Sequence, residues 1–216
     1  MDAQEPMRST LKYLEKFTNY ERKGVPKGAG TNSDEGFPLR RMELLMQRLG
    51  DPVSRLKVVH VAGTKGKGSV AALLGSSLRR AQLRVGTYTS PHFLTVRERI
   101  TIDGVPISPE AFAALVAAHR SVLDEMRDLE GVTHFEVLTA LAFKHFEEEG
   151  VDIAIMEAGL GGARDATNVI PPQSLLLAVI TAIHEEHLEA LGGSLEAIVH
   201  AKCGIIKEGR PVSFRA

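Results

Sequence analysis

Residues 58–69 read Val-Val-His-Val-Ala-Gly-Thr-Lys-Gly-Lys-Gly-Ser, and this stretch decides the fold. Its first five residues are rich in valine, which predicts a buried β-strand. A glycine-rich turn follows, and an amphipathic helix is expected to run from it to about Ala81. Glycines in such a turn let successive backbone N–H groups converge on phosphate oxygens, and the helix N-terminus adds a positive dipole. With Lys67 as a point charge, the stretch predicts a site for nucleotide phosphates.

The match to the common P-loop pattern is imperfect. No glycine stands five positions before Gly66, and Gly68 separates Lys67 from the hydroxyl of Ser69. The alternative interpretation is an ordinary turn between a strand and a helix that binds no ligand. The strand before the turn and the helix after it favour phosphate binding.

Strand-like and helix-like segments alternate over the rest of the chain, which predicts parallel strands joined by right-handed helical crossovers. Asp103-Gly104 separates two short strand-like runs and predicts a hairpin. A polar, glycine-rich stretch at 23–36 lacks periodicity and predicts a mobile loop. The fold class is therefore α/β, a mostly parallel, doubly wound sheet that is incomplete at the C-terminus. The predicted helices are 8–20, 42–49, 108–127, 135–149 and 194–202, and the predicted strands are 58–62, 85–89, 99–102, 105–107, 151–156, 175–181 and 211–214.

Length and composition limit the classes of protein that the sequence can encode. The 216 residues fit one domain, or one domain and part of a second. With 44% hydrophobic and 25% charged residues, the chain can form a core, and global disorder is excluded. Lys and Arg total 26 against 27 Asp and Glu, so neither nucleic acid nor an anionic membrane is an expected partner. Any phosphate binding must therefore be local.

Three features bear on the location of the protein. Cys203 is the lone cysteine and cannot form an internal disulfide, which suits a reducing compartment. The longest apolar run, 175–183, is too short to span a membrane. Residues 1–5 have the layout of neither a signal peptide nor a transit peptide. We expect a cytoplasmic protein, or a mitochondrial one if a longer precursor was trimmed.

Three further loops are expected at the same edge of the sheet, because ligands bind where parallel strands end at their carboxyl side. These loops are 87–92, 157–168 and 184–187, and they contain Ser90, Glu157 and His187. Oxygen donors, with an occasional imidazole, suit Mg²⁺ beside a phosphate. Each residue alone has a simpler explanation as a turn serine, a capping glutamate or a solvated histidine. Their common position favours a metal site.

Four blocks of sequence together resemble the folylpolyglutamate synthase and dihydrofolate synthase family, within the Mur ligase superfamily of ATP-dependent amide ligases. Within these blocks Gly-Gly-Ala-Arg-Asp and Glu-Glu-His are more similar to plant-type dihydrofolate synthases than to the polyglutamylating enzymes. Glu186, Ala201 and Ala163 depart from the aspartate, glutamate and glycine that are common in the family. The four blocks are His-Val-Ala-Gly-Thr-Lys-Gly-Lys-Gly-Ser at 60–69, Thr-Ser-Pro-His at 89–92 with Arg-Glu-Arg-Ile at 97–100, Glu-Ala-Gly-Leu-Gly-Gly-Ala-Arg-Asp-Ala-Thr-Asn at 157–168, and the segment 180–207, which ends Lys-Cys-Gly-Ile-Ile-Lys.

The resemblance implies roles for the residues that match the family's motifs. Ser90, Glu157 and His187 would hold Mg²⁺. Lys202 matches a lysine that is carbamylated in the family, where the added carboxylate helps to hold a second Mg²⁺. Catalytic roles would fall to Lys67, His187 and Lys202. The implied ATP-binding residues are Gly63, Thr64, Lys65, Gly66, Lys67, Gly68 and Ser69, and the implied pterin-contacting residues are Pro91, His92, Thr133, His134, Phe135, Glu136, Arg164, Asp165 and Ala166.

The implied reaction is the ATP-dependent addition of L-glutamate to dihydropteroate through an acyl phosphate, in folate biosynthesis, by a chain expected to be a monomer. One alternative is a folylpolyglutamate synthase that extends the glutamate tail of tetrahydrofolate. Others are an inactive nucleotide-binding fragment and an unrelated P-loop kinase. Nothing in the sequence corresponds to the family's C-terminal domain. We therefore expect 1–56 to form N-terminal helices and a loop, and 57–216 to form an α/β core that ends inside the ATPase domain.

Overall fold

A computed structural model of the chain describes residues 5–31 and 36–214. In this part of the chain seven strands form a sheet, and helices lie on both of its faces. The strands are β1 (Val58–Ala62), β2 (Val85–Tyr88), β3 (Ile100–Ile102), β4 (Val105–Pro106), β5 (Ile153–Glu157), β6 (Leu175–Ile180) and β7 (Val212–Phe214). The helices are α1 (Glu5–Leu14), α2 (Tyr20–Lys23), α3 (Leu39–Arg48), α4 (Lys67–Arg80), α5 (Pro109–Glu130), α6 (His134–Glu148) and α7 (Leu195–Cys203).

The strand order is β4-β3-β2-β5-β1-β6-β7. β1 lies between β5 and β6 and is parallel to both, β2 is parallel to β5, and β7 is parallel to β6. The hairpin of β3 and β4 adds an antiparallel edge beside β2. This arrangement confirms the predicted mostly parallel α/β sheet. It also brings the loops that follow β1, β2, β5 and β6 to one edge.

β1 is buried along its whole length because both of its faces are covered. Val59 and Val61 pack with Ala71 of α4 on one face. Val58 and Ala62 belong to the larger core on the other face, which includes most of α6. This alternation has the period of two that a strand requires.

The N-terminal helix predicted at 8–20 is wrong in extent. α1 runs over Glu5–Leu14, and a separate helix, α2, begins after Asn19. The Asn19 side chain accepts hydrogen bonds from the backbone N–H groups of Glu21 and Arg22. This cap starts a new helix where the apolar spacing alone suggested a continuous one.

The prediction of a mobile loop at 23–36 is wrong for residues 28–30, which are buried. Gly28 and Gly30 donate their backbone N–H groups to the carbonyl oxygens of Glu189 and Ala190, each at 2.9 Å. These bonds tie the segment to the loop that follows β6. Residues 32–35 of this stretch, and four of the five N-terminal residues on which the expected location partly rests, residues 1–4, lie outside the described residues.

No helix in the described ranges 5–31 and 36–214 is long and apolar enough to cross a membrane.

Ser108 caps α5 as predicted, because its hydroxyl accepts the Ala111 N–H at 3.0 Å and Pro109 occupies the first helical position.

Gly86 of β2 provides a test of how tightly α6 packs on the sheet. A Cβ at this position would lie 2.6 Å from the ring of Phe146, which is fully buried. We expect Gly86→Ala to lower the free energy of unfolding by about 1 to 3 kcal/mol, because neither the backbone of β2 nor the buried Phe146 ring can move freely. Urea denaturation measures this loss.

Gly75→Ala in α4 is the matched control. A Cβ there would make only ordinary contacts at 3.5 and 3.8 Å, and alanine favours the helix by up to about 1 kcal/mol. We expect Gly75→Ala to be neutral or stabilising. Equal losses in the two variants would contradict the packing described for β2 and α6.

Candidate active site

The glycine loop, residues 63–69, joins β1 to α4 and is braced by the exit of β6. Gly63 has a φ of 144°, and a Cβ there would overlap the Thr181 hydroxyl, so only glycine fits. The Thr64 N–H donates to the carbonyl of Ala182 at 2.8 Å. The Thr64 hydroxyl accepts the His184 N–H at 3.0 Å and donates to the His184 carbonyl at 3.1 Å. Contacts within the chain therefore define the shape of the loop.

Two lysine side chains share the carbonyl oxygen of Gly63. Lys67 Nζ donates to it at 3.1 Å, and Lys202 Nζ, on α7, donates to it at 2.8 Å. Lys202 is buried, and this burial together with the positive charge of Lys67 lowers the pKa of Lys202 to about 8. The structure therefore brings two of the three predicted catalytic residues to the glycine loop.

Glu157 ends β5 beside the same loop. It is buried, and its Oε2 atom has no hydrogen-bond partner. A Cβ at Gly68 would lie 3.5 Å from that oxygen. Burial raises the pKa of Glu157 to about 7, although the charge of Lys67 and a hydrogen bond from the Ser90 backbone N–H oppose this shift. An unpartnered buried carboxylate oxygen next to a phosphate loop fits a divalent cation.

This donor set has few protein ligands. In residues 5–31 and 36–214, no group of three or more His, Cys, Asp or Glu side chains is placed to hold a metal ion. Besides Glu157 and the predicted His187, the ligands of a Mg²⁺ ion here would be the Ser90 hydroxyl, phosphate oxygens or water, as is common for Mg²⁺ beside a nucleotide.

Two cavities meet at Ser90, which lines both. A cavity of about 690 Å³ contains Glu157 and part of the glycine loop, and one of about 820 Å³ contains Lys67 and His187. We call the second the large cavity. His187 is exposed on its rim and has a left-handed backbone, with a φ of 54°. Ser90 thus connects Glu157 on one side with His187 on the other.

Most of the predicted pterin-contacting residues line the large cavity. They come from the loop after β2, the start of α6 and the loop after β5. His92 and His134 instead interact with the buried guanidinium of Arg99. Those that line the large cavity are Pro91, Thr133, Phe135, Glu136, Arg164, Asp165 and Ala166.

Asp165 shapes the loop after β5. Its carboxylate accepts the backbone N–H groups of Gly159 and Leu160, each at 2.9 Å, and the N–H and hydroxyl of Thr167 at 3.0 and 2.5 Å. The Thr167 hydroxyl donates its proton to Asp165, so towards His60 it can only accept. His60 Nε2, which lies 2.7 Å from the Thr167 hydroxyl oxygen, therefore carries the ring proton and donates it. Burial and the charge of Lys207 lower the pKa of His60 to about 3, so this histidine is neutral. The Asp165 carboxylate therefore holds the backbone of the loop after β5 in place.

The role of the N-terminal segment as a wall of the large cavity was missed from the sequence. Tyr20, Glu21, Phe37 and Arg41 all lie on its wall. The ring centroids of Tyr20 and Phe37 lie 5.2 Å apart with the rings tilted by 36°. Arg41 Nε donates to Glu136 at 3.0 Å, and the Arg41 Nη2 atom has no partner. The available signal was the pair of aromatic residues that flank a polar, glycine-rich stretch.

The comparison with known families agrees with this geometry. Residues 61–213 match the Mur ligase middle domain, which begins within β1 and contains every predicted site residue.

Several proteins of known sequence and structure are similar to the chain. The dihydrofolate synthase/folylpolyglutamate synthase of Bacillus subtilis is 47% identical over 81% of the chain, and the probable dihydrofolate synthetase of Schizosaccharomyces pombe is 41% identical over 80%. The chain spans 40% of the length of each of these relatives. The Mycobacterium tuberculosis folylpolyglutamate synthase complexed with ADP superposes with a TM-score of 0.84 and 31% identity, over 100% of this chain and 46% of that one.

The match to the Mur ligase middle domain excludes the alternative of an unrelated P-loop kinase. The chain belongs to the Mur ligase family, and the relatives named above are folylpolyglutamate and dihydrofolate synthases.

Proposed function

We propose that the chain provides the nucleotide and acceptor sites of an ATP-dependent ligase that joins L-glutamate to dihydropteroate. The position of Glu157 supports this most, because its unpartnered oxygen faces the glycine loop at Gly68. Ser90, whose backbone N–H donates to that carboxylate, lines the large cavity. A phosphate site and an acceptor cavity therefore adjoin, as transfer between two bound substrates requires. The relatives named dihydrofolate synthase support the choice of substrates.

The chemistry requires no side-chain nucleophile. A carboxylate oxygen of the acceptor attacks the γ-phosphorus of ATP, the bond to the β–γ bridging oxygen breaks, and ADP leaves. The amine of glutamate then attacks the carbonyl carbon of the acyl phosphate, loses a proton and displaces phosphate. Catalysis of such a transfer is mostly positioning and electrostatic stabilisation.

Lys67 and the glycine loop would stabilise the charge on the transferring phosphoryl group. Lys67 Nζ lies in the wall of the large cavity and would exchange its bond to the Gly63 carbonyl for a phosphate oxygen. Glu157 and Ser90, with His187 on the rim, would hold Mg²⁺, which neutralises charge on the phosphates when bound.

Lys202 suits the carbamylation that we propose for it. A pKa of about 8 leaves a fraction of neutral amine at physiological pH, and only that form attacks CO₂. The amine nitrogen bonds to the carbon of CO₂ and releases one proton to water, and the product is a carbamate whose negative charge replaces the positive charge of Lys202 beside Gly63. The monomeric state and the cytoplasmic location stay predictions.

An equilibrium binding experiment distinguishes this function from its two remaining alternatives. Dihydropteroate and tetrahydrofolate are titrated in parallel into the 216-residue chain with Mg²⁺ and the ATP analogue AMPPCP. We expect dihydropteroate to bind more tightly. Preference for tetrahydrofolate would favour a folylpolyglutamate synthase (FPGS). A solved FPGS structure holds AMPPCP and folate together, which is in line with that outcome. Binding of AMPPCP without either acceptor would indicate an inactive nucleotide-binding fragment.

Lys67→Ala should weaken AMPPCP binding roughly 10- to 100-fold, which is the loss of a charge-assisted hydrogen bond to phosphate. Isothermal titration calorimetry measures the affinity, and the melting temperature should stay near that of the wild type. Lys57→Ala, at an exposed position before β1, is the control and should bind as the wild type does. Unchanged affinity in Lys67→Ala would exclude Lys67 from the phosphate site.

Glu157→Gln should stabilise the chain when Mg²⁺ and nucleotide are absent. A raised pKa means that the folded state holds the proton more tightly than the unfolded state does. The loss of stability that comes from burying the ionised Glu157 carboxylate is therefore absent below about pH 4.5 and complete above about pH 7. At pH 8 we expect Glu157→Gln to gain roughly 1 to 3 kcal/mol of unfolding free energy. The same variant should lose the extra stability that Mg²⁺ gives to the AMPPCP complex, and a wild-type response to Mg²⁺ would remove Glu157 from the metal site.

A further inference from the structure

Arg99 connects two walls of the large cavity. It precedes β3 and its side chain is only 1% exposed. Its Nη1 and Nη2 atoms donate to the two carboxylate oxygens of Glu21 at 2.9 and 2.5 Å, and its Nε atom donates to His92 Nδ1 at 2.9 Å. Glu21 lies on α2, and His92 lies in the loop that carries Ser90. One buried guanidinium thus holds the N-terminal segment against the loop that follows β2.

The charge state of the pair fits this role. Burial raises the pKa of Glu21, but its hydrogen bonds to Arg99 and the charge of Arg99 outweigh that effect, so the pKa is lowered. The Glu21 carboxylate is therefore ionised at neutral pH. A paired, two-point contact between a guanidinium and a carboxylate also fixes their relative orientation.

The segment held by Arg99 forms one side of the large cavity. Between Glu21 and its next attachment, at Gly28, the side chains of residues 22–27 are exposed. The Gly28 N–H is bonded to the Glu189 carbonyl. The backbone between these two attachments is held by the Glu21 ion pair on one side and by the Gly28 hydrogen bond on the other. The lining residues from this segment are Tyr20, Glu21, Gly24, Val25, Ala29 and Gly30.

We propose that Glu21 and Arg99 are positioning residues, which hold segment 20–31 as the wall of the acceptor site while leaving the nucleotide site unaffected. This inference rests on the proposed function for the nature of the acceptor. The wall contributes the ring of Tyr20, which packs against Phe37, and the apolar side chain of Val25. Such surfaces suit a flat heteroaromatic ring. Loss of the ion pair lets the wall shift, and small displacements in a site of this kind have large effects on binding.

Glu21→Gln tests the proposal with little change in side-chain size, because it places an amide NH₂ group against the guanidinium. We expect its dissociation constant for dihydropteroate to rise about tenfold, with that for AMPPCP and Mg²⁺ within about twofold of the wild type. Glu21→Asp, which keeps the charge on a shorter side chain, should fall between the two. Glu125→Gln is the matched control, because Glu125 pairs with Arg48 at 2.7 Å and is 39% exposed, against 36% for Glu21.

Limited trypsin digestion provides a readout that needs no ligand. Arg22, Lys23 and Lys27 are exposed within the attached segment. Glu21→Gln should be cleaved at these residues several times faster than the wild type or Glu125→Gln, and dihydropteroate should slow cleavage of the wild type. Melting temperatures, measured alongside, report any general loss of folding.

Two results would overturn the proposal. One is a Glu21→Gln variant that trypsin cleaves at the wild-type rate, whatever its acceptor affinity. The other is an equal weakening of both ligands together with a large fall in melting temperature, which would show a merely structural role. A wild-type chain that binds AMPPCP but no dihydropteroate would contradict the proposed function. The trypsin digestion is independent of that outcome, because equal cleavage rates contradict the positioning role by themselves.

Discussion

The close approach of β1 and β6 at their carboxyl ends is the constraint on which the site depends. Gly63 leaves β1 where Thr181 leaves β6, and no side chain fits between them. This contact turns the Gly63 carbonyl towards Lys67 and Lys202, and it places Thr64 where it bonds to the backbone of His184. The glycine loop is therefore shaped by its neighbours, because the N–H groups of Thr64 and Lys65 both donate to the Ala182 carbonyl. Such preorganisation is what electrostatic stabilisation of a transition state requires.

Several charged side chains at this edge of the sheet form no ion pair within the described part of the chain. Lys67 and Lys202 lie close enough for the charge of one to lower the pKa of the other, and the Glu157 carboxylate is buried with one oxygen unpartnered. Burial raises the pKa of Glu157 and lowers the pKa of Lys202, so it favours the neutral form of each side chain. A polyphosphate would supply the missing negative charge near Lys67, and a divalent cation would pair with Glu157. Binding sites commonly carry such uncompensated groups, at a cost in stability.

The fold was largely predictable from the sequence, and the site only in part. The valines of 58–62 and the glycines that follow specify a strand and a phosphate turn through local rules. Glu157 and Ser90 could be placed at one edge because parallel strands share the direction of their carboxyl ends. The role of Glu21 could not be predicted, because its partner Arg99 is 78 positions away in the chain and the contact exists only after the sheet has formed. The break between α1 and α2 was missed for a local reason, since a single Asn19 cap outweighed the apolar spacing.

The central claim is that Glu157 and Ser90 form the junction between the phosphate site and the acceptor cavity. A crystal structure of the 216-residue chain with AMPPCP and Mg²⁺ tests it directly. We expect the γ-phosphate to lie beside Lys67 Nζ, with Mg²⁺ bound by the unpartnered Glu157 oxygen and the Ser90 hydroxyl. We also expect the large cavity to open onto that phosphate. A nucleotide bound elsewhere, or a metal ion that contacts neither Glu157 nor Ser90, would contradict it.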